Sequence, residues 1–532
     1  MPQIGYAHRQ APMGRHGMVA TCHPLASLAG VETLRSGGNV IDAAVAANAV
    51  LGVTQPNYCG FGGDLFCLYY EAATRRVHFL NGAGRSGSRA SLDELERRGH
   101  TAVPGVGPGS VSVPGVTRAW AMLRERYGTR SMAELLAPAM HYAADGFPIS
   151  DIVCQAIRER FPLFDDPEWR RIFVPNGVFP EPGDMFRQPD LARSIAELGA
   201  EPDLFYSGRV GRAIAARLER DGFLTPDDLA AHQGEWDEPL STTYRGYTVY
   251  ETPPPTQGLA TLLTLNLLEG FEVTKHAPDS VERLHLLLET TKLAYADRDR
   301  WIADPAQSRP PVERLLAKSY ADRRRADFDP RKAQLHAWGD VDGDTTGFVI
   351  ADGEGNVLSV IQSLFRAFGS GVVAPGTGVV LQNRGSYFNV DPEHPNCFAP
   401  GKRPFHTLMA GMVTREGRPV LGLSTMGGDG QAMFHSQILT NALDYGMEIQ
   451  EAIERPRFMY GRINPSDAPD LVRLEGRMSP LLREALVRQG HNIQPVTDWF
   501  AQTGQAQAVA VLDNGVLRGA ADPRGDGAAM GY

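Results

Sequence analysis

The sequence predicts one large layered α/β body. Strand-like stretches near the N-terminus and after Gly343 flank a central region of helical periodicity. No internal repeat, low-complexity segment or long linker separates these parts, so neither half is expected to form a core alone. The 42% hydrophobic and 21% charged residues are typical of a globular protein. A length of 532 residues also allows three or four ordinary domains, and length alone leaves that count open.

The N-terminal part predicts two short helices followed by the start of a sheet. The stop signal from Ser36 to Asn39 separates the helices, and the second, Val40 to Leu51, is so rich in alanine that it must pack closely. DLFCLYY and RRVHFL are rich in β-branched or aromatic residues, and a polar turn lies between them. These two segments therefore predict a β-hairpin.

From about Gly115 to Leu335 the pattern is mainly helical, with apolar residues at i, i+3 and i+4, and only GYTVYETPPP interrupts it as an extended segment. TTGFVIAD and VLSVIQSLF then predict two strands joined by a turn from Gly353 to Asn356. GVVLQN and RPVLGLSTMGG continue as strand-like segments. The C-terminal third mixes the predicted strands AQAVAVLD and GVLRGAAD with the predicted helices QAMFHSQILTNALDYG and SPLLREALVRQG.

Charge and cysteine content exclude several classes of protein. The net charge is −10, and the one dense basic run, Arg323 to Arg325, lies in an Asp-rich helical stretch, which argues against nucleic acid or an anionic membrane as partner. Five cysteines without a CxxC pair indicate neither a disulfide framework nor a zinc ribbon. The N-terminus lacks the apolar stretch of a secretory signal, and no 18-residue apolar run occurs, so we expect a cytoplasmic protein.

Motifs for cofactors, metals and a serine nucleophile are missing from the sequence. The 14 histidines form no HExxH or HxH pattern, GVGPGSVSVPG breaks the GxGxxG spacing, and neither a P-loop nor a GxSxG elbow is found. We therefore expect no metal and no cofactor. The remaining anomaly is Asp344-Thr345-Thr346, where the helical part gives way to a strand. A threonine that opens a strand is by itself ordinary.

Eight segments resemble, in order and over nearly the whole chain, the signatures of the γ-glutamyltranspeptidase family. They are HGMVATCHPLASLAGVETLRSGGNVIDAAVAANAVLGVTQP, GFGGDLF, YADRDRWIADP, DTTGFVIADGEGNVLSV, FGSGVVAPGTGVVLQN, GKRPFHTL, STMGGDG and GAADPRGDGAAMGY. The resemblance implies an N-terminal-nucleophile hydrolase fold, a four-layer αββα sandwich made as an inactive precursor. It implies self-cleavage between Asp344 and Thr345 into a large subunit, 1–344, and a small catalytic subunit, 345–532. These subunits associate as an αβ heterodimer, paired further in some relatives.

The resemblance also assigns catalytic roles. A threonine freed at a chain N-terminus carries both a nucleophilic hydroxyl and an α-amino base, so no histidine is needed. Thr345 matches this nucleophile, and Ser363 matches a hydroxyl residue that hydrogen-bonds it. Gly427 and Gly428 resemble the paired backbone N–H groups of the oxyanion hole. Arg85, in LNGAGRSG, falls near the arginine that pairs with the substrate's α-carboxylate.

The substrate-binding positions combine matches with departures. His406 and Thr407 occupy a serine pair that helps hold the same carboxylate, and only Thr407 keeps a hydroxyl. Arg384 and Tyr387 stand where the transpeptidases place an acidic or amide residue and an aspartate that hold the substrate's α-amino group. A cationic γ-glutamyl amine would meet repulsion from Arg384, so we expect glutathione to be a poor substrate.

Three further departures concern the surroundings of the nucleophile. Phe365 replaces an asparagine, and Gly347 replaces the histidine of TTH. The segment from Asn389 to Lys402 is shorter than in relatives with a lid loop, and this short length predicts an open pocket. These changes resemble the branch that contains glutaryl-type cephalosporin acylases and the amidohydrolase acting on oxamate. They imply hydrolysis of the amide of a small, carboxylate-bearing acyl donor. Two alternatives stay open: a glutathione hydrolase or γ-glutamyltransferase, and an unprocessed binding protein.

Overall fold

Two seven-stranded antiparallel sheets form the centre of the structure, a computed structural model that describes residues 7–334, 344–463 and 466–532. In chain order the strands are β1 (Met13–Gly14), β2 (Gly17–Thr21), β3 (Asp64–Glu71), β4 (Arg76–Asn81), β5 (Phe147–Pro148), β6 (Met185–Phe186), β7 (Glu235–Asp237), β8 (Leu240–Tyr244), β9 (Tyr247–Glu251), β10 (Asp344–Asp352), β11 (Val357–Phe365), β12 (Ala410–Arg415), β13 (Arg418–Thr425), β14 (Phe458–Tyr460), β15 (Leu471–Glu475), β16 (Asn492–Val496), β17 (Ala506–Val511), β18 (Leu517–Ala521) and β19 (Ala528–Gly531). The first sheet has the order β19-β2-β10-β11-β3-β4-β7, and the second has the order β1-β18-β17-β13-β12-β9-β8.

Helices cover the outer face of each sheet. In chain order they are α1 (Pro24–Arg35), α2 (Val40–Thr54), α3 (Leu92–Arg97), α4 (Val116–Tyr127), α5 (Met132–Asp145), α6 (Asp151–Arg160), α7 (Pro167–Phe173), α8 (Pro189–Ala200), α9 (Leu204–Ser207), α10 (Arg209–Leu218), α11 (Pro226–Ala230), α12 (Gly258–Glu269), α13 (Val281–Trp301), α14 (Val312–Leu316), α15 (Lys318–Arg324), α16 (Gln431–Leu443), α17 (Ile449–Glu454) and α18 (Pro480–Arg488). Among them, none of the described helices is both long and apolar enough to span a lipid bilayer.

Successive side chains of a strand point to opposite faces of its sheet, and in both sheets apolar side chains occupy both faces. Burial of these faces creates four layers. Met18, Phe66 and Val349 of the first sheet pack against Met412 and Val509 of the second, between the two sheets. The outer face of the first sheet packs on α1, α2 and α4, and α5 packs on α2. The outer face of the second packs on α12 and α16, and α13 packs on α12. The order of layers is therefore αββα, as the resemblance implies.

Most of the predicted elements are present. The two predicted hairpins are β3–β4 and β10–β11, and the alanine-rich helix is α2, with Asn39 as its N-cap in a capping box with Asp42. The prediction of a strand for GVVLQN is wrong. That segment makes only isolated bridges, because Gly376 and Gly378, at φ of 66° and 70°, bend the chain back on itself before it can extend.

Strands from the two predicted subunits alternate within both sheets. In the first sheet β10 and β11 lie between β2 and β3, and in the second sheet β12 pairs with β9. Neither 1–344 nor 345–532 therefore contributes a complete sheet, which is consistent with one interleaved body. The boundary at residue 344 itself stays a prediction.

Candidate active site

Thr345 lies at a β-bulge near the start of β10. The register with β11 shifts between Asp344 and Thr346, and the Thr345 side chain is fully buried. Gln431, the first residue of α16, donates from Nε2 to Thr345 Oγ1 over 3.2 Å. Residues 335–343 and the side chain of Asp344 lie outside the described residues, so cleavage between Asp344 and Thr345 stays a prediction.

The predicted oxyanion residues form the turn between β13 and α16. Gly427 and Gly428 have φ of 128° and 53°, and Gly428–Gly430 is a 3₁₀ turn that leads into α16. The first N–H groups of a helix have no partner within it and stand at the positive end of its dipole. Because Gln431 of the same helix contacts Thr345, the turn and the predicted nucleophile lie at one end of α16.

Replacing Gly427 with alanine is expected to lower kcat about a hundredfold. A Cβ there would lie 2.5 Å from Phe434 Cε2, so the turn must shift, and one oxyanion donor is typically worth about 3 kcal/mol. Gly417→Ala is the matched control, since Gly417 also has a positive φ, 72°, but an added methyl group there would have no atom within 4 Å. Both variants should lose stability from backbone strain, measured as Tm. Equal kcat values in the two variants would contradict the role of the turn.

Ser363 lies on β11, opposite Asp64 of β3. Its Oγ accepts a hydrogen bond from the backbone N–H of Phe365 over 2.6 Å, and Phe365 has an unusual φ of 82°. A positive φ in a bulky residue persists only where the surroundings hold it. Ser363 thus fixes the conformation of Phe365, and its predicted hydrogen bond to the nucleophile stays a prediction.

Arg384 is almost completely buried next to Phe365 and Thr407. Its Nη1 donates to Thr407 Oγ1 over 3.0 Å, and the guanidinium lies 4.1 Å from the centre of the Phe365 ring. Within the described part of the chain, Nη2 has no hydrogen-bond partner. Burial lowers the pKa of Arg384 to about 10, although the Asp64 carboxylate opposes the shift. A buried cation with an open donor favours an anionic ligand.

Asp64 and His406 form a buried pair beside Arg384. Asp64 Oδ1 accepts from the Gly84 N–H over 2.9 Å, and Oδ2 lies 3.1 Å from His406 Nε2. Because Leu408 N–H donates to His406 Nδ1, the ring proton is on Nε2 and is donated to Asp64. Burial raises the pKa of Asp64 to about 7 and holds the pKa of His406 well below its usual range. The Nε2–H group of His406 is therefore already bonded to Asp64 and is not offered to a substrate.

Tyr387 contacts the residue that follows the glycine pair. Its hydroxyl donates to Asp429 Oδ2, and Arg298 Nη1 lies 2.9 Å from Asp429 Oδ1. Burial raises the pKa of Tyr387, and the Asp429 carboxylate raises it further. Tyr387 therefore anchors the turn that begins at Gly427.

A second contact to this turn, through Gln257, was not predicted from the sequence. Gln257 Nε2 donates to the carbonyl of Thr407 over 2.7 Å and to that of Gly428 over 2.8 Å, while its Oε1 accepts from Arg298 over 2.8 Å. The only signal in the sequence is that Gln257 precedes a helix whose apolar residues are continuous. This side chain connects the predicted oxyanion turn with the segment that contacts Arg384.

Arg85 belongs to a different group of charges. Its Nη1 lies 3.0 Å from Asp304 and its Nη2 lies 3.0 Å from Glu235, which also accepts from Arg403 over 2.8 Å. Nη1 donates as well to the carbonyl of Gly401. The structure therefore brings Arg384 and Thr407 together and places the Arg85 guanidinium among carboxylates of the protein.

Gly347, where the family has a histidine, has no room for a side chain. A Cβ there would lie 2.3 Å from Ser424 Oγ on the facing strand β13. On the other side, Cys22 Sγ donates to the Gly347 carbonyl over 3.2 Å. The departure from the TTH motif is thus matched by close packing of the two sheets.

Residues 389–402, predicted to leave the pocket open, form a compact loop. The Asn396 side chain donates to the Tyr387 carbonyl and accepts from the Phe405 N–H. Asn389, His394 and Asn396 line a cavity of about 340 Å³ together with Tyr387 and Phe405. The loop therefore borders a cavity next to Tyr387, and the openness of the reacting centre stays a prediction.

One group among the described residues has the spacing of a metal site, and it lies elsewhere. Candidate ligand atoms of His285, Glu289 and His491 lie within 4.8 Å of one another. Lys292 Nζ already pairs with Glu289 over 2.7 Å, and His285 contacts His491 and the Asp329 carbonyl, each over 2.8 Å. These atoms form a buried hydrogen-bond network.

Comparison with known proteins agrees with the sequence signatures and the fold. Residues 26–532 match the family model described as Gamma-glutamyltranspeptidase. The chain is 41% identical over 529 residues to the glutathione hydrolase-like YwrD proenzyme of Bacillus subtilis, covering 98% of this chain and 99% of that protein. It is 35% identical over 526 residues to the oxamate amidohydrolase proenzyme of Klebsiella pneumoniae, covering 97% and 98%.

Solved structures place the whole chain in the same fold. The cephalosporin acylase from Bacillus halodurans superposes with a TM-score of 0.93 at 35% identity, covering 100% of this chain and 99% of that one. These matches confirm the predicted fold class and the prediction of a hydrolase. The chain belongs to the gamma-glutamyltranspeptidase family.

Proposed function

We propose that the protein hydrolyses the amide of a small acyl donor that carries a carboxylate, after cleaving itself between Asp344 and Thr345. Thr345 Oγ attacks the acyl carbon, the carbon–nitrogen bond breaks, and the freed α-amino group passes the hydroxyl proton to the departing amine. Water then attacks the ester and returns the proton to Oγ. The amides of Gly427 and Gly428 hold the oxyanion in both steps.

The observation that carries this proposal is the buried Arg384 with an open Nη2 beside the Thr407 hydroxyl. A carboxylate that accepts from both groups neutralises a cation that the protein leaves only partly compensated. Arg384 therefore replaces Arg85 as the proposed anchor of the substrate, because Arg85 is already paired with Asp304 and Glu235.

The two subunits are expected to remain associated after cleavage. The strands β10 and β11 of the small subunit hydrogen-bond to β2 and β3 of the large one, and the burial of both sheets holds them in place. We therefore propose an αβ heterodimer as the active species.

Relatives of this chain are named for two kinds of donor, which makes a γ-glutamyl substrate the second candidate. Proteins named glutathione hydrolase proenzyme match at 32% identity in Bacillus subtilis and 30% in Escherichia coli. In the present chain the α-ammonium group of a γ-glutamyl donor would approach the Arg384 cation. Like charges brought together in a desolvated site cost several kcal/mol, so Arg384 favours a donor without that group.

A matched pair of substrates tests the proposal. We expect kcat/KM for a glutaryl anilide to exceed that for the γ-glutamyl anilide at least about a hundredfold, because the contact between the α-ammonium group and the buried Arg384 cation costs about 3 kcal/mol. The two substrates share the leaving group and differ only in the α-amino group. A preference for the γ-glutamyl anilide would contradict the proposal and favour the second candidate.

A further inference from the structure

We propose that a second cavity, next to Gly427, binds the amine half of the substrate. The expected leaving group is an amine with an apolar body and a neighbouring carboxamide. This inference rests on the proposed function and extends it to the half of the substrate that Arg384 does not contact. We refer to the space as the amine cavity; it has a volume of about 370 Å³, and its buried lining includes Asn57, Tyr58, Ala367, Met426, Gly427 and Met459. The half-buried side chains of Ile463 and Phe500 also line it.

The amine cavity borders the proposed reacting centre on one side. Met426 and Gly427 belong to the turn that presents the oxyanion donors. Asn57 is another part of the lining, and its carbonyl accepts from the N–H of Phe368, three residues beyond Phe365, over 2.9 Å. Met426 and Gly427 lead into α16, whose Gln431 contacts Thr345, and Phe368 follows β11, which pairs with the strand that contains Thr345.

The two halves of an amide lie on opposite sides of the carbon that the nucleophile attacks. Arg384 and Thr407, the proposed carboxylate anchor, do not line the amine cavity. A substrate with its carboxylate at Arg384 and its oxyanion at Gly427 therefore directs its nitrogen away from the anchor. The amine cavity adjoins Gly427 and so offers space for the nitrogen half of the substrate.

Asn57 supplies the polar feature of this cavity. Its side chain is completely buried, and neither Nδ2 nor Oδ1 has a hydrogen-bond partner among the described residues. A buried amide without partners costs free energy, and native proteins rarely leave one without a reason. A ligand that offers one acceptor and one donor to Asn57 satisfies it. A carboxamide or peptide group has this pattern, whereas ammonia or a simple aniline does not.

The remaining lining sets the size and polarity of the amine. Met426, Met459, Ile463 and Phe500 present apolar surface, so the body of the amine is expected to be apolar. The polar rim of the cavity consists of Gln155, Glu159, Arg160 and Gln502. The buried Arg524 also lines the cavity, but its charge is already neutralised by Glu475 and Asp522. The rim carries one charge of each sign and favours no net charge on the occupant.

The test compares two amides that share the glutaryl group. Glutaric acid monoamide releases ammonia, whereas N-glutaryl-leucinamide releases an amine with an apolar side chain and a carboxamide. In Asn57→Leu we expect kcat/KM for N-glutaryl-leucinamide to fall about tenfold and that for the monoamide to change less than about twofold, since one net hydrogen bond is worth about that ratio. The fold should tolerate leucine, because the Asn57 side chain makes no hydrogen bond that is lost.

A second variant tests the volume of the cavity without touching Asn57. Ile463→Trp places a larger side chain in the lining and is expected to raise KM for N-glutaryl-leucinamide more than for the monoamide. Val178→Trp is the control, since Val178 is 65% exposed and lies outside the cavity. Equal effects on both amides, or no effect in either cavity variant, would overturn the inference while leaving the proposed function intact. A wild-type enzyme inactive on both amides would overturn the proposed function and the inference together.

Discussion

Thr345→Ala is expected to leave the chain as one uncleaved polypeptide without amidase activity. In the proposed mechanism the same hydroxyl attacks the preceding carbonyl during maturation and the substrate during turnover, so its removal stops both reactions. The wild-type protein should instead show two fragments on a denaturing gel. N-terminal sequencing of the smaller fragment should begin at Thr345.

Thr346→Ala is the matched control for this experiment. Thr346 is also buried, and its hydroxyl donates to the Gln362 carbonyl within the sheet, so its loss affects packing without removing the proposed nucleophile. We expect this variant to be cleaved. Cleavage of Thr345→Ala, or a small fragment that begins at another residue, would contradict the assignment, and a single band from the wild-type protein would favour a non-catalytic binding protein.

The fold was largely predictable because its signals are local. The hairpin of β10 and β11 follows from two apolar runs around a Gly-rich turn, and the capping box at Asn39 marks the start of α2. The segment GVVLQN, residues 378–383, was not predictable in the same way. Its composition has strand propensity, but Gly378 has a positive φ and packs closely against Leu191, a residue far away in the sequence.

Residues of the site were predictable only where they belong to a motif that resembles the family's. Thr345 and the Gly427 turn stand out through the resemblance, and the contact through Gln431 is consistent with them. Gln257 could not be found, because its three partners are far apart in the sequence and meet only across the folded sheets. Arg384 was noticed as a departure from the family, but its burial against Phe365 and its open Nη2 follow from tertiary structure.

Arg384→Gln is expected to reduce kcat/KM for a glutaryl anilide by about two to three orders of magnitude. Removing one partner of a buried charge pair costs about 3–5 kcal/mol, and here the pair forms between Arg384 and the substrate. Glutamine removes the repulsion toward an α-ammonium group, so the ratio of γ-glutamyl to glutaryl activity should rise. Because Arg384 is a buried cation with an unused donor, the free protein should lose little stability, measured as Tm.

Arg85→Gln separates this role from the one that sequence position suggests. Its loss removes one of the cations that neutralise the completely buried carboxylate of Asp304, so Tm should fall, while kcat/KM for the glutaryl anilide should change little. We therefore expect Arg384→Gln to change activity and specificity with little loss of stability, and Arg85→Gln to lower stability with little change in activity. If Arg85→Gln lowered kcat/KM for the glutaryl anilide by about two to three orders of magnitude and Arg384→Gln did not, Arg85 would hold the carboxylate, and Arg384 would have a structural role instead.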